Sequence, residues 1–195
     1  MDLEFACENL GAYHFPALKL RLGQSAELVL PKQWTSDDTT QLWVCLERVG
    51  TIKGIRVVRA GAFQGRRFVW WDRLWRVTLA RVVADAAGRS MDAAREICRR
   101  CSVEPEQSFV TTPWTERKLV DFELATDSAD LVVVDTAGLD PLGVRRFTEH
   151  IRKALGSHRF AVLALEYPPV SFDQHSPVSF HHEEWADVRF TISPR

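Results

Sequence analysis

The fifteen residues from Ala129 to Gly143, Ala-Asp-Leu-Val-Val-Val-Asp-Thr-Ala-Gly-Leu-Asp-Pro-Leu-Gly, constrain the fold of this chain more than any others. Four consecutive apolar residues, Leu131 to Val134, run straight into Asp135. An unbroken apolar run of this length reads as a parallel strand buried on both faces, with its terminal carboxylate at the sheet's C-terminal edge. Gly138 and Pro141 then make a tight strand-to-helix turn, with Asp140 placed to cap the helix that follows.

The flanking chain repeats the alternation. Leu3–Cys7, Ala17–Leu22, Gln24–Leu30 and Ile55–Val58 read as strands. Between the last two, a helix begins at Thr35 or Ser36: either residue can cap it, and Asp37 and Asp38 suit its first turn. Leu42, Val44, Leu46 and Val49 supply its apolar surface. Gly61 and Gly65 bound a turn before Phe68-Val69-Trp70, and Arg73 to Cys101 has helical spacing. Helices at Arg117–Thr126 and Leu142–Leu155, with strands at Phe160–Leu165 and Asp187–Ile192, complete the pattern. The class is α/β, with a helical insertion in the middle.

At 195 residues the chain is one domain with room for a subdomain. Its content of 46% hydrophobic and 26% charged residues is that of a water-soluble globular protein. No apolar run approaches the roughly 20 residues of a transmembrane helix, and Met1-Asp2-Leu3-Glu4 lacks a secretory signature. The expectation is a cytoplasmic protein. Cys7, Cys45, Cys98 and Cys101 form no disulfide framework, and the Cys98/Cys101 pair lacks a second ligand pair for zinc. Residues 51–100 hold twelve basic against four acidic side chains, so the rest of the chain carries a net negative charge. Such a stretch suits an acidic partner or a lipid head group, or is a solvated helical face. No aromatic-basic motif supports nucleic acid.

With these elements in order, the chain resembles the nucleotide-binding domain of ABC transporter ATPases along nearly its whole length. Thr136-Ala137-Gly138-Leu139-Asp140-Pro141 after the Asp135 strand is similar to the Walker B to D-loop segment. Glu8 to Tyr13 resembles the first strand, with Tyr13 at the adenine-stacking aromatic position. Leu22 to Pro31 is similar to the strand feeding the phosphate loop. Phe68–Asp72 falls at the Q-loop, Thr112–Arg117 at the signature, and Val162–Tyr167 at the switch-histidine strand. The resemblance implies an ABC-ATPase-like P-loop NTPase fold, a mixed sheet core with a helical subdomain. One domain would span 1–195, with a helical subdomain at about 72–125 between 1–71 and 126–195.

The departures gather at catalytic positions. Laid without gaps, the phosphate loop's glycines become Leu30, Gln33 and Thr35, its lysine Ser36, and its hydroxyl residue Asp37. The Q-loop glutamine becomes Trp71. The signature's serine and glycines become Pro113, Trp114 and Thr115. Glu166 or Tyr167 stands at the switch histidine, and the catalytic glutamate has no counterpart after Asp135. A phosphate cradle needs glycines so that backbone N–H groups can turn toward the anion, and a lysine as counter-charge. Lys32 to Asp38 has no glycine, and its lysine is at the wrong end. Asp37 and Asp38 satisfy the helix dipole that would otherwise attract phosphate and add like-charge repulsion.

These observations predict no catalytic residue and no metal site, with a vestigial nucleotide contact at Tyr13 and Asp135. Any cofactor would be weakly held ATP and Mg²⁺. The tail from Asp173 to Glu184, with His175, His181 and His182, reads as a solvated loop rather than a metal site. Trp34, Trp71 and Trp114 fall where the resemblance places nucleotide, to plug the site or extend an interface; ordinary core packing is the alternative for each. Asp140 is either an interface residue, as the D-loop is across a dimer seam, or the helix cap. The function expected is a catalytically inactive structural or regulatory subunit. Its partners would be an active ABC ATPase, a membrane-spanning permease subunit, or a second copy of itself, and it would sit on the cytoplasmic face of the membrane through them. An ATP-binding, non-hydrolysing subunit is the second reading. An unrelated hydrolase using Asp135, Glu166 or the histidine tail is the third.

Overall fold

The computed structural model describes residues 2–6, 11–60, 77–167 and 186–194. They divide into two compact units: Met1–Val58 with Ala129–Ala137 and Ile151–Arg195, and Arg59–Ser128 with Gly138–His150.

The first unit is built on β4 (Ser25–Val29), β5 (Val57–Arg59), β6 (Leu131–Asp135), β7 (Ala161–Glu166) and β8 (Val188–Thr191). They form one sheet in the order β5-β6-β7-β4-β8. The pairs β6–β7, β7–β4 and β4–β8 are all parallel, as continuous apolar runs require. In register Val29 faces Glu166 and Asp135 faces Leu165, so the C-terminal ends of β4, β6 and β7 share one edge. Two-stranded ribbons join β1 (Asp2–Phe5) with β3 (Leu18–Arg21), and β2 (Tyr13–His14) with β9 (Ser193–Pro194).

One face of the sheet, carrying Ala26, Leu28, Leu131, Val133, Leu163 and Leu165, packs in a single core with Leu42, Trp43 and Leu46 of α1 (Ser36–Lys53) and with Leu3, Phe5, Leu18 and Leu20 of the first ribbon. Helix α1 starts where its sequence requires. Thr35 is the N-cap in extended conformation, and Gly54 ends the helix in the left-handed region at φ 68°. Its buried stripe is not quite the expected one: Val44 is 59% exposed, and Trp43 takes the inward place. Cys45, on the same helix, is disulfide-bonded, against the expectation that the cysteines make no disulfide framework.

The second unit is helical. The stretch expected to run as one helix to Cys101 is broken among its described residues into α2 (Leu79–Ala87) and α3 (Met91–Arg100). Gly88 closes α2 at φ 60°, and Ser90 caps α3 by accepting from the Ala93 N–H, so a stop and a start signal lie two residues apart. A 3₁₀ turn at Phe109–Thr111 leads to α4 (Trp114–Thr126), which begins ahead of the expected Arg117, with Pro113 at its N-cap position and no side-chain capping bond. The first turns of α5 (Pro141–Leu155) belong to this unit. Leu79, Val82, Val83, Ile97, Phe109, Leu119, Phe122 and Phe147 are among its buried side chains. Cys98 and Cys101 are free and buried, and burial pushes the Cys98 thiol up to about 11 and Cys101 higher still, which keeps both protonated.

Candidate functional site

The position that would cradle phosphate is the chain between β4 and α1. Its backbone is committed internally. The Thr35 hydroxyl accepts from the Asp38 N–H at 3.3 Å, and the Asp38 carboxylate accepts from both the Thr35 N–H and the Thr35 hydroxyl at 2.8 Å, a complete capping box. Trp34 precedes the cap and folds back on Tyr13, with ring centroids 4.9 Å apart and planes tilted by 45°. The indole N–H donates to the Thr39 hydroxyl at 2.9 Å. Tyr13 is only 6% exposed. Burial, with Asp38 beside it, raises the pKa of its phenol.

At the sheet's C-terminal edge, the Asp135 carboxylate accepts from the Ala137 N–H at 3.2 Å, so it folds over its own turn. Glu166 accepts from the Arg189 guanidinium at 2.6 Å, and the same guanidinium lies 3.7 Å from buried Glu27. Glu27 was not expected as a site residue. Its signal was a charged residue inside an otherwise apolar strand, meaningful only once Arg189 stands opposite it in register on β8.

In the helical unit, Asp140 and Trp114 come together. The Asp140 carboxylate accepts from the Gly143 N–H at 2.6 Å, which makes it the cap of α5. A side chain added at Gly143 would meet the Thr115 hydroxyl at 2.5 Å, and one at Gly138 would meet the Trp114 indole nitrogen at 3.0 Å. The turn therefore lies close against the start of α4 at both positions. Trp114 remains 40% exposed, and Leu142 is 76% exposed. The Arg117 guanidinium and Lys118 ammonium each lie 6.0 Å from the Trp114 ring. Trp71 and the histidine tail lie outside the described residues.

On the described helices of the basic middle, the arginines are ion-paired. Arg81 pairs with Asp85, Arg89 with Asp127, Arg95 with Asp92 and Glu106, Arg99 with Glu96, and Arg100 with Glu123 and Asp127. Buried Glu123 also meets His150 Nε2 at 2.8 Å. The sequence separates these two residues widely, and no motif announced the pair.

No family model matches the chain, and no curated protein does. Solved structures do. CbiO1 from Clostridium perfringens, part of the ABC transporter complex CbiONQ, is 13% identical with a TM-score of 0.58, covering 86% of this chain and 78% of that one. A nucleotide-free ATP-binding cassette from an ABC transporter is 13% identical with a TM-score of 0.59, covering 85% and 81%. The ATP-binding cassette MJ0796, solved as a dimer in a post-hydrolysis state with ADP and phosphate, is 12% identical with a TM-score of 0.52, covering 79% of each chain. Identity this low speaks for architecture alone. The chain has the fold of the ATP-binding cassettes of ABC transporters.

Proposed function

We propose that this chain is a catalytically inactive, cassette-fold subunit that serves as a structural or regulatory partner of an active ATPase in an ABC-type membrane complex. One observation carries the reading: the loop that would wrap a triphosphate is closed on itself. Its helix N-terminus is satisfied by Thr35 and Asp38, and Trp34 is seated on Tyr13. A helix start neutralised by two first-turn aspartates repels an anion where a cassette must attract one. The residues present do not fit a bound triphosphate and its metal. Asp135 retains the right kind of ligand for Mg²⁺, but with no phosphate held opposite it there is nothing to bridge. Glu166 is held in an ion pair with Arg189 rather than beside a nucleophile, which also weighs against an unrelated hydrolase.

The partner side of the reading rests on less specific support. The solved relatives are cassettes of ABC transporters, one from a transporter complex and one dimeric. No described helix is long and apolar enough to cross a membrane, so attachment would come through other chains. Trp114 and Asp140, and Trp71 by its sequence position, are the proposed interface residues. A cytoplasmic, membrane-peripheral location follows from the same proposal.

The test is to isolate the chain from native membranes, identify what accompanies it, and assay both preparations. The expected result is co-isolation with an ATPase or a permease, ATP turnover only in the complex, and none by the purified chain. Turnover by the purified chain, lost on Asp135→Ala, would sink the proposal.

A further inference from the structure

We infer that the end of α3 carries a binding site for a small zwitterion, a free amino acid or a dipeptide, held by Arg99 at its carboxylate and by Glu104 at its ammonium group. The site lies within the helical unit and goes beyond the function proposed above, on which it does not depend.

A cleft of about 500 Å³ opens there, lined by Arg95 and Arg99 of α3 and by the segment Ser102–Glu106 that follows it. The backbone of that segment is fixed at both ends. The Ser102 N–H donates to the Arg99 carbonyl at 2.8 Å and the Val103 N–H to the Cys98 carbonyl at 3.0 Å. From the other side, the Ala80 N–H of α2 donates to the Pro105 carbonyl at 2.9 Å. A segment pinned to two helices presents its side chains to a ligand without first having to order.

The charges of the lining are only partly matched among themselves. Arg95 is engaged by Glu106 at 2.8 Å and by Asp92 at 3.2 Å. Arg99 and Glu104 line the same cleft, yet no ion pair joins them. Arg99 meets Glu96 on its own helix at 3.3 Å, and the Glu104 carboxylate accepts from the Glu106 N–H at 3.4 Å. Two opposite charges that share a cleft and do not pair are matched by a ligand carrying both signs. A simple anion would meet the carboxylates of Glu104 and Glu106, and a simple cation would meet two guanidinium groups.

Ser102 is the second observation. Its φ of 56° lies in the left-handed region, which glycine adopts freely after a helix and serine only under strain. Serine in place of glycine gives the lining a hydroxyl, and a hydroxyl can bond either end of a zwitterion.

Amide NMR titration of the full chain tests the site, with L-leucine and Gly-Leu as probes. At least one probe is expected to give saturable shifts at Ser102–Glu106 with millimolar half-saturation, the range that exposed charge contacts support. A preference between the two then sets the spacing of the charges. Acetylating the probe's amine or amidating its carboxylate should weaken binding about tenfold. Arg99 and Glu104 are exposed, so Arg99→Gln and Glu104→Gln should fold normally while each weakens binding roughly three- to tenfold. Ser102→Gly relieves the strained backbone and should hold or raise the unfolding midpoint while weakening binding, a separation that a merely structural serine would not show. Absence of saturable shifts with both probes overturns the inference. So does equal binding of the blocked probes, or full affinity in Glu104→Gln. None of these results bears on ATP turnover, so the site and the proposed function fail separately.

Discussion

Single side chains show how firmly this chain has settled the region where a cassette would bind its ligand. The start of α1 is closed by the capping box of Thr35 and Asp38. Thr35→Ala removes the acceptor for the Asp38 N–H and the donor to the Asp38 carboxylate. It should destabilise the chain by about 1–2 kcal/mol in denaturant unfolding, whereas Thr35→Gly should cost only a few tenths. Equal losses from both would mean that the box contributes little. Gly50 makes a complementary case. Replacing a glycine inside a helix with alanine ordinarily gains about 1 kcal/mol. Here the new methyl would sit 2.7 Å from the Ile55 carbonyl oxygen and 2.7 Å from Val57 Cγ2. The backbone oxygen cannot step aside without moving the turn into β5, so Gly50→Ala should destabilise, by roughly 1–3 kcal/mol. A stabilised Gly50→Ala protein would show that this close approach does not exist.

At the level of elements, the clearest prediction concerns the link between α4 and α5. Burial pushes the Glu123 carboxyl up, but the His150 bond and the Arg100 and His150 charges outweigh it and hold it below the ordinary carboxylate range. A carboxyl depressed on folding contributes stability that is fully present above its unfolded value and lost as pH falls through the folded one. Thermal unfolding of the wild type should therefore weaken below about pH 4.5 more steeply than that of Glu123→Gln, and parallel curves would discount the pair. This link also marks the limit of what the sequence discloses. Strand β6 was legible because an apolar run ending in an aspartate has few other readings, and the start of α1 because capping chemistry is local. Contacts between distant residues were not legible. Glu123 with His150, Glu27 with Arg189, and Trp34 on Tyr13 each depend on register or helix facing that no local pattern encodes. The exposed Val44 and buried Trp43 fail for a related reason: neighbouring residues on a helix point about 100° apart, so a small uncertainty in facing exchanges them.

For the whole molecule, the question is whether a cassette fold can stand without the ligand that cassettes bind. Here the sheet edge carries Asp135 over its own turn, the helix start is capped from within, and the Trp34 indole lies on the Tyr13 ring. A fold that depends on its ligand gains stability when the ligand is supplied, by about 2.7 kcal/mol at a hundredfold excess over Kd. For a chain of this size that is roughly 5–10 °C in the unfolding midpoint. On the function proposed here, these internal contacts remove the basis for that gain. Five millimolar Mg·ATP should accordingly leave Tm within about 1 °C of its value in buffer, by this same linkage. Restoring a glycine at Gln33 or Thr35 should not change this while Trp34 and Asp38 remain. A several-degree rise in the wild type, lost on Asp135→Ala, would instead place a bound nucleotide at the end of β6 and return the chain to the ligand-dependent cassettes.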